Sequence, residues 1–313
     1  MTGLRRWLVA TTAATYLLIF VGGLVRVSGA GLGCPDWPKC FGRWIPPTDI
    51  GQVPSDFDPA QFNITLAWME YVNRLIGVTI GVLILISAIR SIQRARHRPR
   101  ILYPVLVALL LVAIQGWQGG RVVGSQLAPF VVTIHMVLAF VIVSLLLYAT
   151  LESHHEGRAG AVETGGPTRG LRRWLGLLWA LSIVAIGLGT QVRSDVGELQ
   201  KAHPAFTGLD VLAQVGAVRI WHLVLGILIV VASGYVSVVI LRWARTKTRL
   251  LTYGARALAA LSAIQVLIGF LLVAVGLPAA LQVFHLWISS LYIGALLVVQ
   301  FAGARSREDA HAA

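Results

Sequence analysis

Charge is what this 313-residue chain has least of. Asp, Glu, Lys and Arg make up 12% of it, about half of the roughly 25% usual in a soluble domain. Acid is scarcer than base, with 13 Asp and Glu against 26 Lys and Arg. Cysteine is scarce too: there are two, both in one loop. Short segments of alternating polarity, the mark of a membrane β-barrel, are missing. The basic start of the chain has no small-residue cleavage site after it, so the first apolar run is expected to be retained. What remains is 57% hydrophobic residues, gathered into runs long enough to cross a bilayer. Lipid, not water, is the expected solvent, and helices are the structures that satisfy their own backbone bonds there.

Eight spans are expected, near residues 8–28, 67–89, 101–120, 130–151, 174–193, 214–241, 256–276 and 280–303. The formal net charge of +13 would suggest nucleic acid on a soluble protein, but its placement argues otherwise. With the N-terminus inside, most Lys and Arg fall in inner segments, including Arg5 and Arg6, the run from Arg90 to Arg100, and Arg242 to Arg256. The positive-inside rule then puts both termini in the cytoplasm. The basic balance reads as topology, with membrane lipid as the contact and no nucleic acid partner.

The chain repeats itself. Gln115-x3-Gly119 in span three, followed by His135, matches Gln265-x3-Gly269 in span seven, followed by His285, at an offset of 150. Spans two and six match at 149: Asn73 and Gly77 fall on His222 and Gly226, and Glu70 falls on Arg219. Spans one and five match at 167, Gly22-x2-Val25-Arg26 on Gly189-x2-Val192-Arg193, because the first outer loop is longer. Four spans return a chain to its starting side, so the halves share an orientation. The expected fold is all-α integral membrane, two tandem pseudo-symmetric four-helix bundles. Residues 1–155 form the N-terminal half, 156–173 a cytoplasmic linker and 174–313 the C-terminal half.

Of the eight histidines, His97, His154, His155 and His311 read as solvated residues of inner segments or the tail, and His203 as an outer-loop residue. His135, His222 and His285 lie inside spans, near their outer ends. Ionisable residues there are costly and mark function. A lone one is often only a polar partner for a neighbouring helix, but matched histidines in both halves favour a ligand role. Neutral imidazole suits iron, and facing helices can present ligands into a bundle core. His222 and His285 would clamp one porphyrin from both faces. Zinc fits less well, since no third or fourth ligand of the right type lies at that depth. Arg26, Arg74, Arg121, Arg193 and Arg219 sit at or near the outer span ends, the side that should be poor in Arg. Guanidinium groups pair with carboxylates such as haem propionates; the alternative is snorkelling at helix ends.

The halves differ where chemistry would notice. The second has His222, His285 and Arg219, a closed two-histidine site suited to electron transfer. The first has His135 with Asn73 and Glu70, hence one firm axial ligand, an open or weak opposite position and a nearby carboxylate. Glu70, Asn73 and Arg74 share a helix face. Cys34 and Cys40 lie in the first outer loop, on an oxidising side where a disulfide is plausible. It is either a staple for a haem-covering loop or a redox-active pair.

Residues 22–40, from Gly22-Gly23-Leu24-Val25-Arg26 to Cys34-Pro35-Asp36-Trp37-Pro38-Lys39-Cys40, resemble the first span and cysteine loop of the haem A synthases. Glu70-x2-Asn73-Arg74, the four-plus-four repeat and the histidines of spans four, six and eight are also similar, so the resemblance covers nearly the whole chain. It implies an enzyme, an oxidoreductase that converts the C8 methyl of haem O to the formyl of haem A for terminal oxidases. Two hydroxylations give a diol, which loses water to the aldehyde. It further implies haem b held by His222 and His285 with Arg193 and Arg219. The substrate haem would sit on His135 with Asn73, Arg74, Arg26 and Arg121, and Glu70 would assist the chemistry. The implied partners are haem O, a haem O synthase and an electron acceptor, in a cell-membrane protein with room for a homo-oligomer. The chain departs from the family pattern at Asn73, where that pattern often has His. The substrate iron is then either five-coordinate on His135 or reached by Asn73 through water. The second half lacks the cysteine pair some members have, so no disulfide is expected around 194–213. Two other readings stand beside this one: a cytochrome b-type electron carrier without substrate haem, and a small transporter built on a parallel repeat.

Overall fold

The computed structural model describes residues 2–155, 169–206, 208–243 and 248–312. Among the described residues there are nine α-helices and no strand beyond one isolated bridge between Cys40 and Arg43. The helices are α1 (Thr2–Val27), α2 (Ile64–Ala95), α3 (Pro99–Gly124), α4 (Pro129–His155), α5 (Arg169–Ala202), α6 (Gly208–Gln214), α7 (Val218–Trp243), α8 (Arg249–Ala274) and α9 (Ala279–Ala312). All but the short α6 are long and apolar enough to cross a membrane. The protein is therefore an all-α integral membrane protein with eight candidate spans. Most of the expected linker, 156–168, lies outside the described residues.

Local sequence accounts for the helix limits. Asn63 caps α2 by accepting the Leu66 N–H, and Thr248 caps α8 by accepting that of Leu251. Pro99 and Pro129 open α3 and α4, where a missing N–H costs nothing. Two limits differ from the hydrophobic pattern. The fifth span was expected to end at 193, but α5 runs on to Ala202 through Ser194, Asp195, Glu198 and Lys201. Hydropathy marks where lipid ends, and a helix is free to continue past that point. The sixth span was expected from 214, but α6 ends there and α7 starts at Val218, after a turn in which Arg219 N–H reaches Gly216 O.

The chain divides into two compact units, Arg6–Leu146 and Leu147–Ala313 together with Met1–Arg5. In the first, Ile80, Ile84, Ala108, Ile142 and Leu146 form a buried cluster joined by Ala14 and Leu18, so α1 to α4 all contribute. Thr11 and Ser87 hydrogen-bond at 3.1 Å, and Trp7 donates to Leu83 O at 3.3 Å. A second small core lies under the cysteine loop, where Cys34, Cys40, Phe41 and Ala67 pack with Phe57 and Phe62. In the other unit, Leu175, Leu178, Val236, Ile240, Leu251, Leu258 and Leu296 make one core from α5, α7, α8 and α9. Ser233 and Tyr292 meet there at 2.7 Å, and Gly254 lets Val298 and Val299 approach α8 closely.

The repeat extends to backbone conformation. Gln126 and Leu127, between α3 and α4, have φ of 54° and 63°. Gly276 and Leu277, between α8 and α9 and again 150 residues on, have φ of 81° and 64°. Leu127 N–H bonds Val122 O at 3.0 Å, and Leu277 N–H bonds Leu272 O at 2.8 Å. A leucine in the left-handed region is strained. Both turns keep it, because the six-to-one bond answers a helix-end carbonyl and reverses the chain at once.

Candidate functional site

In Leu147–Ala313, the site starts from two histidines. His222 lies in the second turn of α7 and His285 in the second turn of α9. Their ring centres are 6.3 Å apart, with the planes at 70°. A metal–imidazole bond is about 2 Å and the ring centre lies about 1 Å further on, so trans imidazoles on one metal have centres roughly 6 Å apart. The observed separation matches that length, and the Gln265 amide nitrogen lies 3.2 Å from His285 Nε2. His222 Nδ1 lies 3.0 Å from Ala185 O. A carbonyl only accepts, so Nδ1 carries the proton and Nε2 keeps its lone pair for a metal. A Cβ on Gly189 would stand 2.8 Å from His222 Cε1, so that glycine clears the space for the ring. His285 Nδ1 is buried without a hydrogen-bond partner. Gln265 Nε2 donates to His285 O at 3.1 Å and to Ser289 Oγ at 2.7 Å.

The two arginines of this half behave differently. Arg193 Nε is buried and has no hydrogen-bond partner, a donor suited to an added carboxylate. Arg219 donates to Leu212 O in α6, and so is tied to the connection that precedes its own helix.

In Arg6–Leu146, Glu70 is 4% exposed, inside the second turn of α2. Its Oε1 pairs with the Arg74 guanidinium, and its Oε2 accepts the Cys34 N–H at 2.8 Å. Arg74 Nη1 also donates to Asp36 O at 2.9 Å and Lys39 O at 2.7 Å. The acid and the base together hold the loop between Cys34 and Cys40, which are joined in a disulfide. Gly33 sits against α2 so closely that a Cβ would fall 2.2 Å from Leu66 O. Trp37 packs over Gly120 of α3, and the preceding Gly119 faces the His135 ring. The loop therefore rests on α2 and α3 beside the helix turn that faces His135. Gln115 Nε2 donates to His135 O at 3.0 Å, and His135 Nδ1 and Asn73 Oδ1 are buried without hydrogen-bond partners. Arg26 contacts Met136, the neighbour of His135, at 3.1 Å, while Arg121 is exposed in the last turn of α3.

Sequence reasoning found the histidines and the Gln-x3-Gly motif as a repeat, but assigned the glutamines no role. It also missed that Glu70 and Arg74 bond to loop backbone and Arg219 to the backbone of α6. No residue pattern announces a backbone partner.

A model of the COX15-CtaA family, described as cytochrome oxidase assembly protein, matches residues 5–297. The chain belongs to this family. Similar proteins include the haem A synthases of Shewanella oneidensis, 33% identical over 154 residues covering 47% of this chain and 45% of that protein, and of Geobacillus kaustophilus, 30% identical over 148 residues covering 47% and 42%. That of Methylorubrum extorquens is 28% identical over 228 residues, covering 66% of this chain and 58% of the relative. The chain thus matches about half the length of these curated relatives. Within the COX15-CtaA family frame, the loop network gives a direct test. Charge-assisted hydrogen bonds contribute about 1.5–3 kcal/mol each, so Arg74→Ala should speed amide hydrogen exchange across residues 34–43 by roughly tenfold or more. Unchanged exchange would mean that Arg74 does not hold the loop.

Proposed function

We propose that this protein is a haem A synthase, which oxidises the C8 methyl of haem O to a formyl group and so supplies haem A to terminal oxidases. The observation that carries the proposal is the contrast between two repeat-related sites. One has two histidines at the separation a single iron needs. The other has one histidine, an amide and a buried carboxylate. The family membership and the haem A synthase relatives support the same reading.

His222 and His285 hold a resident haem b, and Arg193 takes a propionate, with Arg219 keeping the neighbouring connection closed. Haem b supplies one-electron transfer when bound, since a saturated iron passes electrons and does not activate ligands. In the first half, His135 binds the iron of the substrate haem O, and Asn73 faces it without becoming a strong ligand. Arg26 and Arg121 serve the substrate propionates, while Arg74 acts through the loop it holds. Glu70 is the catalytic carboxylate, and its place against Cys34 N–H keeps it beside the loop that covers the substrate. The positive-inside distribution puts the cysteine loop on the outer face of the cell membrane and both termini in the cytoplasm. Partners on this reading are a haem O synthase that delivers substrate and an acceptor that takes electrons.

The test is the haem content of protein purified after co-expression with a source of haem O. The pyridine haemochrome and extracted haems should give haem b together with haem O or haem A. Haem b alone would leave an electron carrier and defeat the synthase reading. His285→Ala should abolish the low-spin haem b spectrum; an unchanged spectrum would remove it as a ligand. Because Glu70 also anchors the loop, its chemical role is best read from Glu70→Gln, which keeps an acceptor for Cys34 N–H. That variant should retain haem b and form no haem A. Normal haem A output would end the catalytic assignment.

A further inference from the structure

Each half has a glutamine at the same repeat position in the helix before its ligand histidine, Gln115 in α3 and Gln265 in α8, 150 residues apart; α3 also carries Gln118, which donates to Val131 O at 3.1 Å. A primary amide inside a span is costly unless it is bonded. As simple glue between helices, it could use any carbonyl within reach. Both glutamines use the same one: the backbone carbonyl of the histidine itself, at 3.0 Å for His135 and 3.1 Å for His285. In a helix that carbonyl also serves the N–H four residues on, so the glutamine adds a second bond at the residue that carries the ring.

Two further observations point to the ring and not to packing alone. Gln265 Nε2 lies 3.2 Å from His285 Nε2, so the amide touches the imidazole as well as the backbone. In both halves the glutamine Oε1 is buried without a partner, and so is Nδ1 of the same histidine. An unmet buried acceptor costs about 1–3 kcal/mol, and the same one is kept twice. A metal-bound imidazole almost always gives its other ring N–H to an acceptor, which fixes tautomer and ring plane. His222 has Ala185 O for this; on His285 the neighbouring helix brings the Gln265 amide to the ring, and on His135 it brings Gln115 to the backbone carbonyl of the same residue.

We infer that Gln115 and Gln265 are repeat-related positioning residues. Each holds, through the histidine's backbone carbonyl, the helix turn that bears one histidine, Gln265 on the cofactor side and Gln115 on the substrate side. This rests on the two-haem reading above.

The experiment uses full-length Gln265→Leu and Gln115→Leu, purified after co-expression with a haem O source. The readouts are the low-spin haem b spectrum and the rate of haem b loss to apomyoglobin. Gln265→Leu should keep haem b, shift its low-spin signature and release it about tenfold faster or more, the usual effect of losing an outer-shell partner. Gln115→Leu should leave haem b spectrum and release as in the parent, and reduce the haem O and haem A that co-purify. If a leucine variant does not fold, the volume-matched Gln265→Glu and Gln115→Glu, which lose the amide donor, should act in the same direction. Variants that change neither haem, or that each disturb both haems equally, overturn the inference and leave only helix packing. Parent protein without any haem overturns the functional reading and this inference with it. Parent protein with both haems and unaltered variants overturns this inference alone.

Discussion

Hydrocarbon offers no hydrogen bonds, and that constraint organises the whole molecule. Any donor or acceptor placed inside a span must be answered by the protein itself. The apolar faces of the spans bring helices together without specifying much. The polar residues specify the rest: Thr11 with Ser87, Ser233 with Tyr292, Gln115 and Gln265 with the histidine carbonyls. Glu70 is the extreme case. A carboxylate 4% exposed in a membrane helix is held only by a partner of opposite charge and by further donors. Arg74 and the Cys34 N–H supply them, and in doing so they tie a covalently closed loop to the helix.

The repeat shows which parts of such a design are fixed by geometry and which are free for chemistry. The turns before α4 and α9 share their left-handed residues and their six-to-one bonds. The glutamine, glycine and histidine that follow one another share their contacts as well. By contrast, the position occupied by Glu70 and Arg219 keeps its task and reverses its polarity. Glu70 accepts from the loop before its helix, and Arg219 donates to the segment before its own. Position 73/222 changes task altogether. In the second half a histidine fills the room cleared by Gly189; in the first, Gly22 has open space about it, and the aligned residue is the shorter Asn73.

The sequence made the spans legible because lipid imposes a length and a composition on each, and His135 and His285 stood out because the repeat set them in register. The rest was hidden for physical reasons. The continuation of α5 to Ala202 lies beyond the lipid, where hydropathy carries no signal. Leu127 and Leu277 occupy positive φ without glycine's help, so no turn residue announced them. Arg74 and Arg219 looked like partners for propionates because a cation on the unfavoured side invites an anionic ligand. They also donate to backbone carbonyls, Arg74 to the cysteine loop and Arg219 to α6, and every residue type supplies one of those.

Arg219 and Arg74 hold connections, while Arg193 keeps an unmet buried Nε donor one turn along α5 from Gly189, the residue that faces His222. On the proposed reading, the cofactor side is the more complete: two histidines would hold the haem, one ring is locked by Ala185 O, the turn bearing the other is held by Gln265, and Arg193 would take a carboxylate. The substrate side is incomplete in the same terms, with one histidine, an amide in place of the second, and a carboxylate held at the loop. A closed site favours retention and electron transfer, and an incomplete one favours exchange and reaction. The same four-helix plan yields both because the glutamine, glycine and turn geometry that aim a histidine are kept, while only the residues opposite it are changed.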